Sequence, residues 1–228
     1  LVVGSAGVDV KARPGDKIDW GAVSQGAVRN GVGGVARNIA ENLARLEVPV
    51  ALLTVVGDDA EGQRVIDETL AAGVNCYDIA EVDDASTAGC VSLLAPDGSL
   101  SFSVSDISIM DALDSDYLLD REPLFADARM IAIDATLSPE ALETLFELAV
   151  RYQVPVCADP TAPFLAGRLR DYVPQLHLVV PNAAETAILC DLPQPAHDRE
   201  TALDAARRLA ARGANLAVVT LGEVGLVY

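Results

Sequence analysis

Gly33, Gly34 and Asn38 are the residues whose types and spacing best suit binding chemistry; they lie in the run Gly31 to Leu46, GVGGVARNIAENLARL. Adjacent glycines let a ligand approach the backbone with no Cβ in the way. A helix that begins directly after them offers unpaired N–H groups to hydroxyls or anions. Asn38 sits one turn in, and helical side chains tilt back toward the N-terminus. Its amide can lean over the glycines as donor and acceptor. Val35, Ile39, Leu43 and Leu46 recur at helical spacing and are expected to pack inward.

Three readings compete for this stretch: a tight turn before a core helix, a dinucleotide site, and a site for a sugar-like polyol. Gly31, Gly33 and Ala36 fit G-x-G-x-x-A with Asp58 downstream. That fingerprint needs a buried strand directly before it, and Val23 to Asn30 are mostly polar. The polyol reading is favoured by polar residues elsewhere. Asp9, Asp134, Asp159, Asn182 and Thr220 each follow a short apolar run, and parallel strands gather such ends at one edge.

The elements that must position these residues are legible in outline. Leu1 to Gly4 reads as a buried strand, and Val10 to Asn30 as irregular strands covering a cleft. Val50 to Val56 reads as a central strand. GDDAEG then opens a helix, with Asp58 or Asp59 as cap, which explains the acidic pair without catalysis. Thr87 to Ala95 and Ser99 to Ser105 read as a hairpin around Pro96-Asp97-Gly98, with Asp106 directly after it. From Met130 onward strands alternate with helices: Met130 to Ile133, Val154 to Ala158, Leu176 to Val180 and Leu216 to Val219. That alternation predicts an α/β fold with a parallel sheet.

The chain has 228 residues, 51% of them hydrophobic, and a net charge of −18 from 34 acidic and 16 basic residues. Such a surface repels nucleic acid and anionic membranes, and an anionic substrate must rely on local donors or Mg²⁺. No apolar run approaches membrane-spanning length. Four dispersed cysteines and two histidines disfavour a disulfide framework, a histidine metal site or a triad. The expectation is a cytoplasmic protein with no nucleic-acid or membrane partner. The P-loop pattern G-x-x-x-x-G-K-[ST] is absent.

With these residues in view, the chain resembles the ribokinase-like (PfkB) carbohydrate kinases over nearly its whole length. GGVARN at 33–38, VGDDAEG at 56–62, PNAAE at 181–185 and VTLGEVG at 219–225 are similar to that family's motifs, in its order. Within the family, VARNIAENLARL and SDISIM look most like pseudouridine kinases. The resemblance implies a three-layer αβα sandwich with a mainly parallel sheet and a small β-lid, its strands within about 10–30 and 87–105. It implies transfer of the ATP γ-phosphate to a primary hydroxyl of a nucleoside or sugar, best matched by pseudouridine. Asp9, Gly33, Gly34 and Asn38 would hold ribose hydroxyls, Thr87 and Asp106 would contact the substrate from the lid, and Asp134 would line the floor. Asn182, Thr220 and Gly222 would contact ATP, and Glu185 would organise Mg²⁺ through water. A monovalent cation and a homodimer through the lid are further implications.

One departure stands out. The family's base is an aspartate in Gly-Ala-Gly-Asp, and that motif does not occur in the 228 residues. The expectation is a kinase domain lacking its C-terminal segment, with the base beyond Tyr228 and the chain as given inactive. The alternatives are a nucleoside- or sugar-binding protein without catalysis and a free-sugar kinase of the same family.

Overall fold

The computed structural model describes every residue but Lys17, Asp19 and Trp20. Strand β1 (Val2–Val3) is fully buried, as its apolar run requires. Contacts then divide the chain into two units, one of Ser5–Ala112 and one of Leu1–Gly4 with Leu113–Tyr228.

The unit Ser5–Ala112 contains β2 (Gly7–Pro14), β3 (Gly26–Gly33), α1 (Val35–Arg45), β4 (Leu52–Leu53), β5 (Val55–Gly57), α2 (Ala60–Ala71), β6 (Ala80–Val82), β7 (Gly89–Leu94) and β8 (Leu100–Asp106). Four of these form a sheet in the order β3-β2-β7-β8. Strand β2 runs antiparallel to β3, with Asp9 opposite Gly31, and parallel to β7, with Val8 beside Gly89. Strands β7 and β8 are an antiparallel hairpin. Its turn is closed by Asp97, whose carboxylate accepts the Ser99 N–H at 2.9 Å.

Side chains alternate between sheet faces, so these registers sort the residues. One face carries Val8, Val10, Val28, Val32, Val91, Leu93, Phe102 and Val104; the other carries Asp9, Lys11, Arg29, Cys90, Ser92, Ser103 and Ser105. At the foot of the apolar face, Val8 and Val32 pack with Ile66 and Ile79 on a cluster of Ala6, Val56 and Val65. Strands here are regular where irregular ones are expected. A strand also runs straight into Gly31, contrary to expectation, but it is antiparallel and its residues 26–30 are exposed. It is not the buried parallel strand that a dinucleotide turn follows. The part of the 10–30 expectation on Lys17, Asp19 and Trp20 lies outside the described residues.

Helix α1 differs from its sequence pattern. Its first turn is pinned to Ser5, whose Oγ accepts the Val35 N–H and whose carbonyl accepts the Arg37 N–H, both at 3.0 Å. Pressed against backbone, the helix turns its small residues inward. Ala36, Arg37 and Ala40 are buried, Val35, Ile39 and Leu43 are half-buried, and Leu46 is 73% exposed. The run Val50 to Val56 also divides, at Thr54, and β5 takes β6 as a parallel partner.

The other unit continues with α3 (Ser115–Leu119), α4 (Glu122–Asp127), β9 (Ile131–Asp134), α5 (Pro139–Tyr152), β10 (Val156–Asp159), α6 (Pro163–Ala166), a 3₁₀ segment Gly167–Gln175, β11 (Leu176–Val179), α7 (Ala183–Cys190), α8 (Arg199–Ala211), β12 (Leu216–Ala217), β13 (Val219–Thr220) and β14 (Leu226–Val227). Strands β12, β11, β10, β9 and β1 lie side by side in that order, all parallel. Parallel neighbours need crossovers, and α5 is a well-marked one. Ser138 caps it, accepting the Ala141 N–H at 3.1 Å, and Pro139 opens it. Leu142, Leu145 and Leu148 are buried, as are Ile131 and Ile133 of β9. Each such side chain stabilises the unit by about 1.5–3 kcal/mol. Phe146 stacks on Tyr172 with ring centroids 4.3 Å apart.

The expected α/β fold with a mainly parallel sheet and a separate small β-sheet is therefore observed. The strand expected over Leu216 to Val219 is two, because β13 turns to pair antiparallel with β14.

Candidate functional site

In the unit Ser5–Ala112, the sheet register pairs Asp9 with Gly31, and the Asp9 side chain leans diagonally over Gly33 on the same face. A Cβ on Gly33 would sit 2.7 Å from the Asp9 carboxylate carbon. Gly34 has φ 95°, and a Cβ there would sit 2.5 Å from the Ser5 carbonyl oxygen. Only glycine meets both demands. Asn38 is exposed, one turn into α1. The sheet thus brings Asp9 onto the glycine pair that opens the Asn38 helix. Asp9 is the third residue of β2. The expectation puts it just past a strand end; the structure puts it after β1 and inside β2.

Thr87 and Asp106 each take part in local hydrogen bonds. The Thr87 hydroxyl accepts from the Gly57 N–H at 2.9 Å and donates to Asp59 Oδ1 at 2.6 Å. Its N–H donates to Asp59 Oδ2 at 2.8 Å, and Asp59 also caps α2 through the Gly62 N–H at 2.7 Å. Burial opposes the Asp59 charge, but these bonds outweigh it and hold the carboxyl below the usual range. The hydroxyl of Thr87 thus joins the end of β5 to the start of α2 through Gly57 and Asp59. Asp106 ends β8 on the face opposite Asp9, because it pairs with Gly89 while Asp9 pairs with Cys90. Its Oδ1 accepts from the Ser108 N–H at 3.0 Å and hydroxyl at 2.8 Å, which hold its carboxyl low. The register does not bring Asp9 and Asp106 to one face.

In the other unit, Asp134 and Asp159 stand in register at the ends of β9 and β10. Asp134 is fully buried, accepts from the Thr136 N–H at 3.0 Å, and leaves no room for a Cβ on Gly4. Asp159 is half-buried and accepts the Thr161 N–H at 2.7 Å. Burial pushes its carboxyl above the usual range; the Thr161 bond opposes this and the charge of Asp134 adds to it.

Asn182 and Glu185 form a capping box on α7. Asn182 Oδ1 accepts the N–H groups of Ala184 and Glu185 at 2.9 and 3.0 Å, and Glu185 accepts the Asn182 N–H and Nδ2 at 2.8 and 2.7 Å. Glu185 is 3% exposed. Its carboxyl is pushed up by burial, opposed by its bonds with Asn182, and further raised by Asp159. Asn182 also bridges Thr220. With Gly222, His197 and Val224 these two line a cleft of about 300 Å³. Asn182, Thr220 and Gly222 are thus brought together as expected.

Four residues escaped the sequence reading. Arg37, in a helical motif, is 4% exposed. Arg168 donates to the carbonyls of Thr136 and Leu137 at 2.9 and 2.8 Å, fixing the loop after β9. Thr161, at φ 67°, accepts the Ala135 N–H at 2.9 Å. Asp-Pro-Thr after a strand is a turn signal that could have found it. His197 lines the Asn182 cleft, and nothing in its local sequence marks it.

Chemically, the cleft at α7 sets the Asn182 amide and the Thr220 hydroxyl beside a glycine turn, polar groups suited to phosphate oxygens. The charged forms of Asp159 and Glu185 are disfavoured and would be relieved by a divalent cation. Both Glu185 oxygens already accept from Asn182, so a contact through water fits them better than direct ligation. Among the described residues no cluster of three or more His, Cys, Asp or Glu side chains could hold a metal directly. No helix among them is long and apolar enough to cross a membrane.

Known proteins are similar to this chain over its whole length. The chain is 30% identical over 228 residues to pseudouridine kinase of Escherichia coli, covering 100% of this chain and 72% of that protein. It is 28% identical over 235 residues to guanosine-inosine kinase of Exiguobacterium acetylicum, covering 100% of this chain and 74% of that protein. The structure of Arabidopsis thaliana ribokinase complexed with ribose and ATP superposes with a TM-score of 0.80 at 20% identity, over 99% of this chain and 72% of that one. The pattern of the pfkB family carbohydrate kinases matches residues 1–228. A match over the whole length, with a relative 30% identical across it, decides the family: the chain belongs to the pfkB family of carbohydrate kinases.

Proposed function

We propose that this kinase moves the γ-phosphate of ATP to the primary hydroxyl of a nucleoside, with pseudouridine as acceptor and pseudouridine 5′-phosphate as product. The observation that carries this reading is the Asp9 carboxylate laid against Gly33, with Asn38 one turn into the helix that follows. A vicinal diol offers two donors and two acceptors; a carboxylate accepts, an amide donates, and the missing Cβ on Gly33 makes room for the Asp9 carboxylate. The sequence likeness to pseudouridine kinase supports the choice of acceptor.

For the donor, Asn182, Thr220 and Gly222 would hold ATP phosphates, and Glu185 would hold Mg²⁺ through water. When bound, that cation supplies charge neutralisation of the phosphates. The chain's own residues bind and orient both substrates, which accounts for much of phosphoryl-transfer catalysis. Buried Asp134 supports the floor beside Asp159. No residue is assigned as the base, and none as a monovalent-cation ligand. ATP as donor and four unpaired thiols favour a cytoplasmic setting.

A second copy of the chain is the proposed macromolecular partner. Val28, Val91, Phe102 and Val104, on one sheet face, are each 55–71% exposed, an apolar patch of the kind that pairs with its own copy.

The test uses the protein read to its natural stop codon, with Mg-ATP and pseudouridine, uridine, adenosine, ribose or fructose, products weighed by mass spectrometry. Phosphorylated pseudouridine in clear preference is expected. Phosphorylation of a free sugar instead would discard the acceptor. Acceptor binding with no product from any compound would replace the kinase reading by a binding protein.

A further inference from the structure

Arg37 poses a question that the acceptor site leaves open. It lies on α1 beside Asn38, is 4% exposed, and buries a charge at a cost that ion pairing rarely repays in stability. Its guanidinium is held on three sides. Nε donates to Thr69 Oγ1 on α2 at 3.0 Å, and NH1 pairs with Glu41, one turn along α1. Thr69 is itself fixed, donating to the Val65 carbonyl at 2.6 Å. Glu41 is held from its other side by Arg45. NH1 also donates to Asn38 Oδ1 at 3.4 Å.

That last contact has a chemical consequence. With Oδ1 engaged by a buried cation, the Asn38 amide cannot flip without turning its NH₂ toward a guanidinium, donor against donor. The Nδ2 group, which has no partner among the described residues, is left as the outward face. Asn38 then presents donors while Asp9 presents acceptors.

We infer that Arg37 is a positioning residue that fixes the Asn38 carboxamide with its NH₂ toward the acceptor, with Thr69 anchoring the guanidinium. This rests on the reading of Asn38 as an acceptor-binding residue. It explains why a polar helix face spends a buried arginine where packing alone would take an aliphatic residue. Loss of the orientation weakens acceptor binding without touching the nucleotide.

The test is a double-mutant cycle on acceptor binding, in the protein read to its natural stop codon. The dissociation constant for pseudouridine is measured by calorimetry for wild type, Arg37→Met, Asn38→Ala and the pair, with the constant for ATP as control. Arg37→Met is expected to weaken pseudouridine roughly three- to tenfold, the worth of one oriented hydrogen bond. In the Asn38→Ala background the same change should have no further effect, and ATP binding should hold throughout. Thr69→Val keeps both charges and nearly the same shape. It should give a smaller loss of the same sign, again absent without Asn38, and it stands in if Arg37→Met does not fold. Equal losses with and without Asn38 would make Arg37 a structural residue and overturn the inference alone. No effect of Asn38→Ala itself would overturn the inference together with the reading beneath it.

Discussion

Three neighbouring glycines, Gly31, Gly33 and Gly34, offer a graded test of the acceptor site, because alanine at each meets a different obstacle. At Gly31 a Cβ meets nothing within 4 Å. At Gly33 it meets the Asp9 carboxylate at 2.7 Å, the end of a short side chain that can swing away. At Gly34 it meets backbone, the Ser5 oxygen at 2.5 Å and Ala6 Cα at 2.6 Å, at φ 95°. That dihedral alone costs about 1–3 kcal/mol for alanine, and the clash adds to it. Gly34→Ala should therefore lose about 3 kcal/mol or more, a melting-temperature drop of about 6–12 °C at this chain size. Gly33→Ala should melt within a few degrees of wild type yet bind pseudouridine ten- to a hundredfold more weakly, roughly the worth of a charge-assisted hydrogen bond. Gly31→Ala should change neither by much. Scanning calorimetry and ligand titration on the three variants give both readouts. If Gly33→Ala melts as early as Gly34→Ala, or binds pseudouridine as wild type does, Asp9 is not the acceptor group over that glycine.

Thr87→Val should remove a donor from Asp59 and strand the Gly57 N–H, costing about 1–3 kcal/mol in denaturant unfolding. Because Asp59 is held below its usual range, this stabilisation is full above the ordinary aspartate value of about 4 and fades as pH falls through the lower folded value. The gap between variant and wild type should narrow there, and a gap constant down to pH 2 would contradict the assignment. Asp159→Asn should do the opposite. Its carboxyl is raised, so the folded state holds the proton more tightly, and ionisation costs stability as pH rises above the usual aspartate range. The variant should be the more stable at pH 8 and lose that advantage near pH 3, which urea titrations at the two values would establish. Val104→Asp should convert a dimer to monomer in analytical ultracentrifugation, with little change in melting temperature, since that residue is 57% exposed.

Much of the fold was legible because its signals are local. Strand runs such as Ile131–Asp134, the Ser138-Pro139 helix start and the Asp59 cap depend on neighbours in sequence, and they appear where propensity and capping place them. The glycine pair and Asn38 could be picked out as a candidate site for the same reason, and the family motifs order the remainder. What only the tertiary structure decided was pairing and facing. Alternation along a strand fixes faces only once register is known, so no local rule could put Asp9 and Asp106 on opposite sides of one sheet. The hydrophobic stripe of α1 pointed to Val35 and Leu46, but contact with the Ser5 backbone favoured Ala36 and Ala40 and carried Arg37 into the interior. The Thr87 hydroxyl was claimed by Asp59, 28 residues away. Composition and spacing specify which groups are present and which elements carry them; partners distant in sequence decide which of those groups remain free to meet a ligand.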